Sequence, residues 1–186
     1  SEQNTATLMD RERAFIKIQD GCDYFCTYCT ISYARGKPRS RNLEDIMEQM
    51  KIFVSQGYQE VVLTGVNLGL YGRDLKNGEN LLTVLNKLEA IEGLKKVRLS
   101  SLEPQLINED LINFFAQSEK VCPHFHIPLQ SGSDKVLKDM RRPCTTADFR
   151  VLIEKITYKI PDVAIGTDII FGFPTETDEL FNETIR

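Results

Sequence analysis

The chain has 186 residues, 41% of them hydrophobic and 27% charged, and carries a formal net charge of −4. That balance belongs to a folded domain and excludes a disordered tail. Uncharged stretches such as 61–72 run to about a dozen residues, short of the ~20 that a membrane helix needs, and an acidic chain is not a generic polyanion binder, so any nucleic-acid contact has to come from a local patch.

Residues 1–13 are polar and aperiodic and are read as a lead-in with no charged-then-apolar leader, so no signal peptide and no membrane partner are expected; the core domain is placed at 14–186. The first apolar run, 14–18, predicts a strand. Leu43, Ile46, Met47, Met50, Phe53 and Val54 then repeat with the helical period, with Asn42 as N-cap and Gly57 closing the helix. A strand is expected over 60–65, a helix over 81–91 capped by Asn80, a strand over 96–100 and a short helix over 108–115. A fourth strand is expected over 124–129, with one of His124 and His126 facing the core. Helices follow over 133–140 and 146–158, then a fifth strand over 163–170 and a last helix opened by Thr177, Asp178 and Glu179. Strand–helix alternation of this kind means parallel strands with crossover helices, either as an open doubly wound sheet or as a barrel or partial barrel, and in both the ligand site lies at the carboxyl ends of the strands.

The chemistry-bearing motif follows the first strand. Cys22, Cys26 and Cys29 form C-x₃-C-x₂-C, three of the five cysteines in the chain. The odd count and uneven spacing argue for a reducing compartment and a metal or cluster role rather than a disulfide framework. Three thiolates this close suit an iron–sulfur cluster. The other readings are a zinc site completed by Cys122 or a histidine, and three apolar buried cysteines; Cys144, with Cys122, is expected to be a bystander. Four cations fall within seven residues (Arg35, Lys37, Arg39, Arg41), while residues 162–186 hold six acids against one arginine. A basic patch near the mouth of the cysteine loop suits an RNA phosphate.

With an aromatic before its last cysteine, this loop resembles the radical S-adenosylmethionine superfamily. The flanking residues Gly21–Cys29 and Tyr33–Arg41, with Leu63–Gly72, Arg98–Pro104, His124–Ser133, Met140–Arg142 and Thr167–Thr177, resemble its methylthiotransferases. The segment Thr64–Gly69 with Tyr71 and Gly72 is most similar to the branch acting on threonylcarbamoyl-adenosine beside the tRNA anticodon. The isopentenyl-adenosine branch and the branch acting on a ribosomal-protein aspartate are the near alternatives; a zinc-stabilised RNA-binding module is the alternative of another class.

The resemblance implies an α/β fold: a partial (βα) barrel of parallel strands with outer helices, truncated after the fifth strand–helix unit. It implies a [4Fe–4S] cluster on Cys22, Cys26 and Cys29, and S-adenosylmethionine contacted by Tyr28, Gly65, Asn67, Ser101, Glu103, Gln130, Arg141 and Asp168. It also implies a cytoplasmic enzyme whose partners are a tRNA anticodon stem-loop, held by Arg35, Lys37, Arg39 and Arg41, and an electron donor such as flavodoxin or ferredoxin. In that family a second [4Fe–4S] cluster sits in an upstream domain and an RNA-binding barrel lies downstream. The chain is therefore expected to be a central fragment, unable to complete methylthiolation alone.

Overall fold

The computed structural model describes residues 13–186, so the expected lead-in lies, apart from Arg13, outside the described residues. Alternation builds β1 (Arg13–Asp20), which buries Ala14, Ile16 and Ile18 on one face. β3 (Glu60–Gly65) pairs with it in parallel and β4 (Lys96–Leu99) pairs with β3 in parallel. A two-residue strand, β2 (Arg39–Ser40), pairs antiparallel with the outer end of β1, giving the order β2-β1-β3-β4.

β5 (His124–His126) and β6 (Ala164–Gly166) form a second parallel pair. Backbone bonds join it to β4: Val97 N donates to Lys120 O, Cys122 N to Val97 O and Leu102 N to His126 O, each at 2.9 Å. The parallel strands thus follow one another around a curled half-barrel, in the sequence β1, β3, β4, β5, β6.

The crossover helices are those the periodicity predicts. α2 (Leu43–Ser55) is capped by Asn42 and buries Leu43, Ile46, Met50 and Phe53, and α3 (Leu81–Glu89) begins with a capping box between Asn80 and Thr83. α4 (Glu109–Gln117) places Phe115 in a 4.2 Å stack on Phe125 of β5. α5 (Asp134–Asp139) and α6 (Thr146–Lys159) cross from β5 to β6, and α7 (Asp178–Ile185) follows.

Three details depart from the sequence reading. A five-residue helix, α1 (Ile31–Arg35), and the β2 pairing occupy a segment that periodicity left blank. The last two strands are much shorter than expected. Pro128 has no N–H to donate and Gln130 takes φ +80°, so the ladder breaks after Ile127 N bonds Gly166 O, and only an isolated bridge pairs Gln130 with Ile169. His124 and His126 flank the buried Phe125, so both share the opposite face and neither is a core residue.

Candidate cofactor site

The cysteine loop is fixed from three sides. Gly21, at φ +78°, opens it; a Cβ there would stand 2.2 Å from the Lys37 carbonyl oxygen, so only glycine lets the chains approach while Cys22 N donates to Gly36 O at 3.0 Å. Phe25 N donates to Ser32 Oγ at 3.3 Å, which is the structural use of α1. Thr27 N donates to Met140 O at 3.1 Å and its hydroxyl to Asp139 O at 3.0 Å, tying the loop to the end of α5. Phe25 itself carries φ +51°, a left-handed conformation unusual for a bulky side chain.

Within this frame Cys22, Cys26 and Cys29 line one cavity of about 120 Å³, together with Tyr24, Tyr28, Ile31, Ser32, Val66, Asn67 and Glu103. All three thiols are free; Cys26 is buried and the other two are half-buried. Burial pushes the Cys22 thiol above its ordinary range. Among the described residues no three Cys, His, Asp or Glu side chains converge as a single metal ion requires. Neither Cys122, Cys144, nor either histidine lines the cavity, and the buried Cys144 thiol donates to its neighbour's carbonyl, Thr145 O, at 3.3 Å.

The other residues singled out in the sequence fall into groups. Asn67 is buried, receives its loop position from a 2.8 Å bond of its N–H to Gln19 Oε1, and leaves its own Oδ1 without a partner. Gly65 lies behind it: a Cβ there would meet Gln19 and Leu68 at 3.0 Å, so its small size serves packing against β1, while Val66 and Asn67 present the loop to the cavity. Tyr28 is half-buried on the cavity wall, and burial pushes its phenol well above the usual range.

Ser101 and Asp168 are joined by His126, which lies in the His124–Ser133 match but was not among the expected contact residues. Ser101 Oγ stands 2.6 Å from His126 Nδ1, and His126 Nε2 stands 3.3 Å from Asp168 Oδ2. This chain spans the carboxyl ends of β4, β5 and the segment after β6, with the imidazole bridging the serine hydroxyl and the carboxylate. Gln130 is held through its backbone, which bonds Asp168 and Ile170 at 2.8 Å. Arg141 is exposed; its φ of +56° reverses the chain after α5.

The next residue, Arg142, turns inward instead. Its side chain is 1% exposed, with Nη2 2.7 Å from Glu103 Oε2 and 2.8 Å from Pro128 O, and Nη1 3.5 Å from Tyr28 Oη and 4.0 Å from Cys26 Sγ. Glu103 Oε2 receives no aligned N–H, so this contact is coulombic rather than a well-formed hydrogen bond. Burial alone would lower the guanidinium's affinity for its proton, and the Glu103 carboxylate overrides that and raises it. The Met140–Arg142 match pointed to this turn, but the sequence reading placed the contact on Arg141, whereas it is Arg142 that enters the site.

Around the mouth the basic residues are partly neutralised. Asp20 draws in Lys17 at 2.9 Å, Arg39 at 3.4 Å and Arg35 at 3.9 Å. Arg39 also donates to Arg35 O at 2.8 Å, Arg41 donates to Asp45 O at 3.4 Å, and Lys37 is exposed. Beside them Phe25 and Tyr33, exposed by 43% and 74%, meet edge-to-face with centroids 5.4 Å apart.

Residues 16–186 match the Radical SAM superfamily. The chain belongs to that superfamily. It is 45% identical over 173 residues to a tRNA-2-methylthio-N(6)-dimethylallyladenosine synthase from Carboxydothermus hydrogenoformans, covering 93% of this chain and 39% of that one. It is 44% identical over all 186 residues to the threonylcarbamoyladenosine tRNA methylthiotransferase MtaB of Thermotoga maritima, covering 42% of it. The radical SAM core is thus homologous to those of the tRNA methylthiotransferases and spans about two fifths of the length of these curated relatives. The half-barrel recurs in the radical S-adenosylmethionine methyltransferase TsrM of Kitasatospora setae, solved with cobalamin and a [4Fe–4S] cluster (TM-score 0.73 at 16% identity, 92% of this chain and 33% of that one); at that identity the likeness is one of fold. Among the described residues no helix is long and apolar enough to cross a membrane.

Proposed function

We propose that the chain is the cluster- and S-adenosylmethionine-binding core of a tRNA methylthiotransferase acting on a threonylcarbamoyl-adenosine beside the anticodon. The observation that carries this is the single cavity lined by three free cysteines in C-x₃-C-x₂-C spacing, in a chain matching MtaB over its full length. The cavity fits the group it is assigned. Its donors are soft thiols, and the buried, unbonded Asn67 Oδ1 beside them is an acceptor awaiting a donor.

Cys22, Cys26 and Cys29 would hold the cluster. Bound there, a [4Fe–4S] cluster with one iron free of protein ligands supplies the electron that cleaves S-adenosylmethionine. The chain's own part is to bind and orient. Asn67 Oδ1 accepts from an amino group, Glu103 offers a carboxylate on the same wall, and Tyr28 covers an adenine face. The Ser101–His126–Asp168 chain fixes hydroxyl and carboxylate positions on the rim, next to Gln130, and Arg141 would add a further cation from the turn after α5. Lys37, with Arg35, Arg39 and Arg41, would meet the anticodon stem-loop phosphates, and the Phe25–Tyr33 pair offers π faces to unstacked bases. A second cluster in the rest of the full-length protein, an electron donor such as flavodoxin or ferredoxin, and a cytoplasmic location complete the reading.

Dimethylallyl-adenosine is the second substrate reading, favoured by the 45% identity to its synthase. Profiling tRNA nucleosides in a strain lacking the full-length gene separates the two. Loss of the methylthio form of threonylcarbamoyl-adenosine supports the first reading. Loss of the dimethylallyl form instead replaces it, and an unchanged nucleoside profile overturns both.

A further inference from the structure

A buried cation against a prospective cluster ligand is an unusual expenditure for a core: a lone guanidinium out of water is costly unless it is paired and hydrogen-bonded. Arg142 has an ion partner in Glu103 and a carbonyl partner in Pro128, both on Nη2, while its Nε is buried without a partner. Its remaining terminal nitrogen, Nη1, is turned to Tyr28 Oη and Cys26 Sγ. The left-handed Arg141 aims this side chain inward, and Arg142 N, bonded to Leu137 O at 2.8 Å, anchors the turn.

We propose that Arg142 is a positioning residue for the cluster site, which holds Cys26 against the strand ends and raises the reduction potential of the cluster bound there. The inference rests on the cluster reading above. One electron added to a [4Fe–4S] centre makes it more negative by one charge, and a cation or an N–H directed at a ligating sulfur, in a site shielded from water, favours the reduced form. Lysine cannot reproduce the contact, because one ammonium cannot reach Glu103, Pro128, Tyr28 and Cys26 as a planar fork does. Cys22 and Cys29 have no cation at a comparable distance among the contacts of the described residues, so the effect is specific to the Cys26 corner.

The test is an EPR-monitored potentiometric titration of the full-length protein, reconstituted anaerobically with iron and sulfide, without S-adenosylmethionine, using dithionite as the one-electron donor. A second cluster is silenced by alanine substitution of its own cysteines. Arg142→Met is expected to lower the midpoint so that, at the potential that half-reduces the parent, the ratio of reduced to oxidised cluster falls about tenfold, equivalent to about 59 mV for a one-electron couple. Arg142→Lys, which keeps the charge opposite Glu103, is expected to fall between the two. If Arg142→Met fails to fold, Arg142→Lys decides: a midpoint below the parent's supports the proposal and one at or above it overturns it. An Arg142→Met protein with a full cluster and the parent's midpoint also overturns it, because a purely structural arginine would leave the potential alone. A parent protein that assembles no [4Fe–4S] signal overturns the cluster reading itself, and the inference with it.

Discussion

The same strand–helix unit is used at both ends of the half-barrel and buried very differently. In the first half, α2 and α3 bury Leu43, Ile46, Met50 and Phe53, and Leu81, Val84, Leu85 and Leu88, against β1, β3 and β4. In the second half, the longer α6 fully buries only Ile156, and no residue of β6 is fully buried. The cysteine loop grows from the tightly packed half, where a displaced ligand would cost core contacts. The rim residues Gln130 and Asp168 hang on the lightly packed half, where backbone can shift at little expense. The lesson is a division of labour: a stiff wall for the ligand loop and a compliant wall for the side that would meet the substrate.

The largest expected effect tests that contrast directly. Ile16, fully buried at the centre of β1, loses about 2–5 kcal/mol of stability when changed to alanine, because the cavity cannot collapse between two strands and α2. Ile165, half-buried at the same place in β6, loses about 1 kcal/mol on the same change. Urea denaturation followed by far-UV circular dichroism measures both, and equal losses would abolish the distinction between the halves.

A smaller effect sharpens it at the mouth of the site. Asp20 ends β1, donors from three sides meet it, and its carboxyl lies below the ordinary 3.8. Burial pushes it up, and the Lys17 contact, the Gly21 amide and the charge of Arg35 together outweigh burial. A depressed folded value means that this stabilisation is complete above pH 3.8 and is lost as pH falls through the folded value below it. Asp20→Asn is therefore expected to cost about 1–2 kcal/mol near neutrality, with the gap to the parent closing below pH 4. It should also free Arg35 and Arg39, raising affinity for a stem-loop RNA in a filter-binding assay at low salt. A gap that widens on acidification would contradict the sign.

How much of this could be read from the chain depended on how much of each signal was local. The limits of β3 and the caps Asn42 and Asn80 follow from alternation and from side chains that bond their own helix, so they were legible to the residue. The cysteine loop was legible as spacing. α1 was not, since five residues with no side-chain cap bond leave no period, and its role is set by Phe25 bonding to Ser32. The lengths of β5 and β6 were overread because apolar runs do not announce where a proline stops the ladder. Arg142 was hidden for a different reason. The left-handed residue that reverses the chain after α5 is an arginine rather than a glycine, so nothing in the sequence marked which of two neighbours points inward.

The smallest expected effect lies on the joint between the halves. Glu109 of α4 reaches Lys155 at 2.6 Å and Lys159 at 3.5 Å on α6, and the Lys155 contact lowers its carboxyl below the ordinary range. The carboxylate is exposed, so water and salt screen the attraction and the long lysines lose freedom in forming it. The joint is held instead by apolar contact, with Ile112 and Phe115 buried in the same cluster as Ile156. Glu109→Gln is therefore expected to leave the urea midpoint unchanged within error at 0.15 M salt. A clear drop would mean that the second half is fastened by charge rather than by its thin apolar seam, and its stability would then have to fall as salt is added.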